Sequence, residues 1–370
     1  MISFNNHIVH RSAKALVFAL FALLPAALFA SGSEAHAGHI TQGATSSTQY
    51  DPTPMIMHHI ADANEWHVVG SVSVPLPVFI YNRSTGQHFM GMSSAFHAHH
   101  GDGTVEVAGY KMEHSRVKPV SEEEKYIDFS ITKNVATMLM VSVLLIIIFL
   151  STARAYKRRQ NEAPRGLQAF MEPLILFVRN EILVPNLGKH ADKYAPYLMT
   201  AFFFIWLNNI FGLVPILPGG ANVTGNIAVT FVLAFLTLIV TNFSGNKHYW
   251  GHLFDPLGKS MPWYGKFGIY LILVPVELLG ILTKPFALMM RLFANITGGH
   301  IIVLSLVSLI FVFGNAGQSL GGSVAGATVA VPFVLFISLI EILVAFLQAF
   351  VFTMLSAVFI AAAIEEPAHH

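Results

Sequence analysis

Apolar residues dominate five stretches of the chain, and polar punctuation separates them. The first stretch, 131–152, is followed at once by Arg154, Lys157, Arg158 and Arg159. The second and third, 197–217 and 223–243, are joined by the short uncharged link PGGAN. The fourth and fifth, 267–313 and 329–364, are far longer than the roughly 20 residues a helix needs to cross a bilayer. Forty-seven residues of helix span about 70 Å, against an apolar thickness of about 30 Å. The fourth stretch has no convincing internal turn, since PFALMMRLFAN is good helix-forming sequence. The pattern therefore predicts five transmembrane helices, the last two forming a long tilted antiparallel hairpin around the Gly-rich turn GNAGQSLGGSVAGA.

Between the first two spans, GLQAFMEPLILFVRNEIL repeats apolar residues near helical spacing but carries too much charge to cross. It predicts an amphipathic helix on the cytoplasmic surface. Ahead of the first span, residues 38–127 are polar and rich in His, with Pro and Gly turns and one partly alternating run, HVVGSVSVPLPVFIYN. That alternation predicts a small β-rich unit. Residues 1–37 read as a secretory signal peptide: Arg11 and Lys14 precede an apolar core at 15–30, and small residues follow. The remainder, 128–370, is the transmembrane domain.

Orientation follows from the cations. Those behind the first span mark its cytoplasmic end. The link between the third and fourth spans carries Lys247, Lys259 and Lys266 and also belongs inside. The N-terminal segment is thus expected in the periplasm and the C-terminus in the cytoplasm, in a multi-pass protein of the cell inner membrane.

Composition narrows the class. Of 370 residues, 54% are hydrophobic and only 11% charged, well below the soluble norm of about a quarter. Net charge of +1 gives no basic face for nucleic acid. The absence of cysteine excludes disulfides and thiol chemistry. No cofactor is implied. The exported histidines, His58 with His59 and His97, His99 and His100, lack the carboxylate spacing of a metal site and read as solvated loop. An intramembrane metalloprotease would need an HExxH-like motif, and residues 131–364 hold none.

Chemistry concentrates in the hairpin. Ionisable groups inside a membrane are expensive and usually mark an ion or substrate path. Glu277, Lys284 and Arg291 are spaced seven apart and drift only about 20° per step, so they form one stripe. Asn295, four residues beyond Arg291, lies close to it. Glu341 and Gln348 share a face of the returning helix. In an antiparallel pair, residues at equal depth have nearly constant index sums. That condition is met by Arg291 with Gln348, by His300 with Glu341, and by Glu277 with Glu365. An imidazole beside a carboxylate exchanges protons near neutral pH, whereas an arginine cannot release its proton. The mid-span Asn208 and Asn209 read as helix-packing groups.

At KPFALMMRLFANITGGH, EILVAFLQAFVFTMLSAVFIA and NNIFGLVP, the sequence resembles subunit a of the F-type ATP synthases, from about Ile131 to the C-terminus. The resemblance implies a stationary, non-catalytic, proton-conducting subunit of the F0 sector, CF(0). Its partners would be a ring of c subunits, the b-subunit peripheral stalk and the remaining F0F1 subunits within the lipid bilayer. It further implies that Arg291 faces the ring carboxylate and that Asn295 and Gln348 lie beside it. Glu277 and Lys284 would lie toward the cytoplasm, and His300 and Glu341 in the outer half-channel. Many bacterial members carry the last two types in the opposite order, with the pair retained. The alternatives are a sodium-translocating form of the same subunit and an unrelated secondary transporter. For the latter, no two-half repeat is seen.

Overall fold

A computed structural model describes residues 51–365, except 70–71, 97–104, 114–115, 122–124, 160–161, 215–219, 256–262 and 316–317. The signal peptide and His97, His99 and His100 lie outside the described residues.

Among the described residues, a short helix, α1 (Thr53–Ile60), comes first, followed by seven strands. β1 (Glu65–Val69) pairs antiparallel with β2 (Val72–Pro75). β3 (Pro77–Asn82) lies between β4 (His88–Met92) and β7 (Tyr126–Asp128), and β5 (Tyr110–Glu113) pairs with β6 (Arg116–Pro119). Alternation in β3 turns Val78 and Ile80 inward. They pack with Phe96, Tyr110, Met112 and Val117 in a small core separate from that of the helices. The β-rich expectation for the exported segment is thus realised, and over more of its length than the alternation at 67–82 suggested.

No loose tether joins this unit to the first span. Phe129 N–H donates to the Phe79 carbonyl at 2.8 Å, and Ile131 N–H to the Pro77 carbonyl at 3.0 Å. The next residue, Thr132, caps α2 (Lys133–Arg158), its side chain accepting from Val135 N–H. Lys157 and Arg158 close that helix, where cations suit the negative end of the helix dipole.

The amphipathic segment is α3 (Leu167–Phe177), continued by a wide, π-type turn over Val178–Leu183 and by α4 (Val184–Leu187). Pro185 lacks an N–H and crowds the carbonyl four residues before it, and the widened turn accommodates this. Met171, Ile175, Val178 and Ile182 face inward and belong to the main core. The segment therefore seals its apolar face against the spans. At Gly188, φ is +50°, and the chain turns there into α5.

The second and third spans are α5 (Ala191–Leu213) and α6 (Ile227–Ser244), and α7 (Lys247–Phe254) follows. Phe202, Phe203 and Trp206 of α5 pack with Phe149 of α2 and Phe346 of the last helix. Asn209 is a tie, as expected: its amide donates to the Ala345 carbonyl at 3.2 Å and its oxygen accepts from Thr224 at 2.5 Å. Asn208 instead donates back to the Phe204 carbonyl of its own helix.

α8 (Trp263–Phe313) and α9 (Leu320–Ile364) are the hairpin. Each is one continuous helix, of 51 and 45 residues. The Gly-rich stretch expected to be wholly turn is not: α9 starts at Leu320, ahead of the expected 329. The glycines serve a close crossing instead. A Cβ on Gly326 would come within 3.0 Å of the Leu309 carbonyl and 3.1 Å of Ile310 Cα, so the two backbones meet where no side chain intervenes. Facing pairs run from Gly322 with Phe313 at the turn, through Glu341 with His300, to Phe359 with Lys284. Among the described residues, five helices are long and apolar enough to cross a membrane.

Candidate ion path along the hairpin

His300 and Glu341 meet across the hairpin, with Nδ1 4.0 Å from Oε1 and both side chains largely buried. Two glycines make the space. A Cβ on Gly299 would lie 2.5 Å from Glu341 Oε1, and one on Gly212 of α5 would lie 3.7 Å from His300 Nε2. Polar groups from the link before α6 reach α8 one turn before His300 and α5 one turn before Gly212. Thr297 donates to the Gly225 carbonyl at 3.4 Å, Thr224 to Asn209, and the buried amide nitrogen of Asn222 has no hydrogen-bond partner among the described residues. An unpaired buried donor of this kind is satisfied by water.

Arg291 lies further along α8 and is exposed, with Asn295 beside it. Among the described residues Arg291 makes no hydrogen bond or ion pair. Its face is lined by small residues: Ala287 and Ala294 are exposed, and Cβ atoms on Gly280 and Gly298 would meet nothing within 4 Å. Gln348 of α9, at matching depth, is 8% exposed and forms no described contact with the guanidinium. Register thus places the two residues at one level without joining them.

Lys284 continues the stripe, its ammonium 5.8 Å from the ring centre of Phe359. Both residues line an open cleft, with Thr237, Thr241, Asn242 and Tyr249. Thr241 has a buried hydroxyl without a partner among the described residues, which again suits water. Burial pushes the Tyr249 phenol above its ordinary value. Glu277 is half-buried one step further on. The expected meeting of Glu277 with Glu365 is not seen. α9 ends at Ile364, and Glu365 turns out of the helix so that its carbonyl accepts from Asn246 at 2.8 Å.

Sequence reasoning passed over Gly212 and Gly299, because a glycine's role in a crossing depends on what lies opposite. It also passed over the cleft, whose lining comes from four helices.

These features define a polytopic helical membrane protein, with a buried imidazole–carboxylate pair and a polar cleft at different depths of one long hairpin and an exposed arginine between them. Residues 135–361 match the family model described as ATP synthase A chain, and the protein belongs to that family. A second model, described as a domain of unknown function, matches residues 55–138. The chain is 36% identical over 332 residues to "ATP synthase subunit a 2" of Chlorobaculum tepidum, covering 88% of this chain and 77% of that one. It is 42% identical over 250 residues to "ATP synthase subunit a" of Anaeromyxobacter dehalogenans, covering 66% and 60% respectively. With "ATP synthase subunit a" of Chlorobium phaeobacteroides it shares 43% identity over 251 residues, covering 66% and 68%.

Proposed function

We propose that the chain is the stationary proton-conducting subunit of an ATP synthase membrane sector and performs no ATP chemistry itself. The observation that carries this reading is Arg291, exposed and without a partner among the described residues, on a small-residue face between two polar regions. A permanent cation open to the outside of the bundle calls for an anion on a partner, and Ala287, Ala294 and Gly298 let a partner helix approach closely. The ring of c subunits, each with a mid-membrane carboxylate, supplies both.

Protons reach a ring carboxylate from the periplasmic side past His300 and Glu341. Once neutral, that carboxylate moves into lipid and the ring turns. It is deprotonated on the opposite side, past the cleft at Lys284 and on toward Glu277. Arg291 favours the ionised carboxylate as it passes and, because it cannot give up its own proton, blocks direct flow between the two routes. Asn295 and Gln348 hold polar contacts at that level. Proton rather than sodium transport suits an imidazole–carboxylate pair, which exchanges protons near neutral pH. Cation distribution places the N-terminus outside and the C-terminus in the cytoplasm of the inner membrane, and the b-subunit stalk holds the chain still.

The test is Arg291→Ala in the assembled complex in vesicles. ATP-driven proton pumping should be abolished, and a variant that still couples hydrolysis to transport overturns the reading. Sodium-dependent hydrolysis at high pH would replace the proton by sodium.

A further inference from the structure

The sheet of β4, β3 and β7 has two faces, and only one of them is covered by the small N-terminal core. Val78 and Ile80 are buried on that side. Side chains alternate along a strand, so Pro77, Phe79 and Tyr81 point the other way. Their cross-strand partners share this second face. Met92 pairs with Pro77, Met90 with Phe79, and His88 with Tyr81. On the β7 side Ile127 pairs with Tyr81. The ladder then runs on past β7: Phe129 N–H donates to the Phe79 carbonyl, and Ile131 N–H to the Pro77 carbonyl. Three rows of side chains result, each drawn from three neighbouring segments.

This second face is open, with Met90 78% exposed, Met92 44% and Phe129 42%. An antiparallel sheet with one wet side normally turns polar residues outward. Here the two rows nearest the spans carry no charge, and a contiguous exposed apolar patch marks an interaction surface. Its position is fixed by the chain. Ile131 opens the first apolar stretch, and the next residue, Thr132, caps α2. Met92 and Pro77 lie level with Ile131. Met90, Phe79 and Phe129 lie two residues further out, about 7 Å at the rise of a strand. The headgroup layer of one leaflet is about 5–8 Å deep. The second row therefore reaches that layer even when the sheet stands upright, and any tilt brings the third row down to it. In that third row the Tyr81 and His88 rings stack with centroids 5.4 Å apart. Beyond it Arg83 N–H donates to the Lys125 carbonyl at 2.7 Å, and both side chains are exposed cations.

We propose that this face rests on the lipid surface, with Met90, Met92 and Phe129 in the headgroup layer beside the first span, so that the N-terminal β unit is a membrane-seated platform. The order of the rows selects lipid over a protein partner. Side chains pass from apolar, through amphipathic rings, to cations as distance from Ile131 grows. That sequence matches a bilayer surface read from its apolar edge outward, where aromatic rings with polar tips sit at the headgroups and Lys and Arg pair with phosphates. A protein surface imposes no such order. The two hydrogen bonds from Phe129 and Ile131 to β3 hold the sheet at this level, so it cannot swing away from the span it leads into. The inference stands apart from the function proposed above and holds whether or not the hairpin conducts protons.

The chain contains no cysteine, so one introduced thiol gives a unique label. Met90→Cys, Met92→Cys and Ser84→Cys, the last in the exposed turn beyond β3, are each made in the full chain. Each is labelled with a nitrobenzoxadiazole dye and reconstituted into phosphatidylcholine vesicles. Two quenchers are compared: phosphatidylcholine carrying a nitroxide high on its acyl chain, and iodide present on both sides of the membrane. Labels at 90 and 92 should be quenched several-fold more by the lipid nitroxide than the label at 84, and emit further to the blue. Iodide should quench in the opposite order. Two positions on the face keep the test valid if one variant fails to fold. Iodide quenching at 90 and 92 equal to that at 84 overturns the proposal, because the face is then in water. Protection of 90 and 92 from both quenchers also overturns it, because protein, such as a second copy of the chain, then covers the face.

Discussion

His300 on α8 and Glu341 on α9 face one another at 4.0 Å from opposite arms of the hairpin, forty-one positions apart in sequence but at one depth in the fold. Each supplies what the other lacks, a group that is cationic when protonated and one that is anionic when not. The pair should therefore function as a unit. His300→Ala and Glu341→Ala should each cut ATP-driven proton pumping strongly, while His300→Glu combined with Glu341→His should regain a substantial part. Normal pumping in both single variants would remove the pair from the path.

Gly299 touches this pair through the atom it lacks. A methyl group at 299 would lie 2.5 Å from Glu341 Oε1 and 3.3 Å from its carboxyl carbon. Gly299→Ala should displace the carboxylate from His300 and cost about 1–3 kcal/mol through overpacking. Gly280→Ala adds the same methyl group where nothing lies within 4 Å. Comparing proton conduction and thermal stability in the two variants isolates the geometry from the glycine-to-alanine change itself. Equal behaviour would show that the carboxylate has room to move.

How far these relations could be read in advance depended on their range. The meeting of His300 with Glu341 follows from index arithmetic, because two continuous antiparallel helices advance at the same rise per residue. The same arithmetic puts Glu277 and Glu365 at one level, but α9 ends at Ile364 and the Glu365 carbonyl accepts from Asn246. It was silent on Gly212, Asn222 and Tyr249, which come from other helices and their links, and no periodicity relates their positions to the hairpin. The amphipathic pattern at 167–187 was legible, but the surface its apolar face would cover was not. α9 supplies part of that contact from residues more than a hundred positions away, Phe346 and Phe350 lying against Phe177. The N-terminal strands were visible only at 67–82, since β5 and β6 are too short and too polar to alternate clearly.

The two kinds of glycine on the hairpin predict opposite phenotypes. Gly298 opens on empty space beside Arg291, whereas Gly326 lies against the α8 backbone. Gly298→Val should leave the chain's own fold nearly intact, yet impair coupled pumping by holding the ring away. Gly326→Val should destabilise the hairpin by about 1–3 kcal/mol, seen as lower yield and earlier thermal unfolding in detergent. If Gly298→Val pumps normally, the face carrying Arg291 does not approach a partner helix.

Asp128 gives the N-terminal β unit a pH signature. Burial raises its carboxyl above the ordinary value, more than the hydrogen bond from Ser130 and the charge of Arg116 lower it. A group whose folded pKa is raised holds its proton more tightly in the native state than in the unfolded one. The native state is then favoured at low pH and loses that advantage as pH climbs from about 3.8 through the folded value. Asp128→Asn keeps an oxygen to accept from Ser130 N–H, now at 2.8 Å, without the buried charge. In the full chain, hydrogen exchange of β3 and β7 should become slower at neutral pH in this variant, and its dependence on pH between 4 and 7 should flatten. Faster exchange instead would mean that the ionised carboxylate is held by Arg116, which also pairs with Asp62, strongly enough to outweigh its burial.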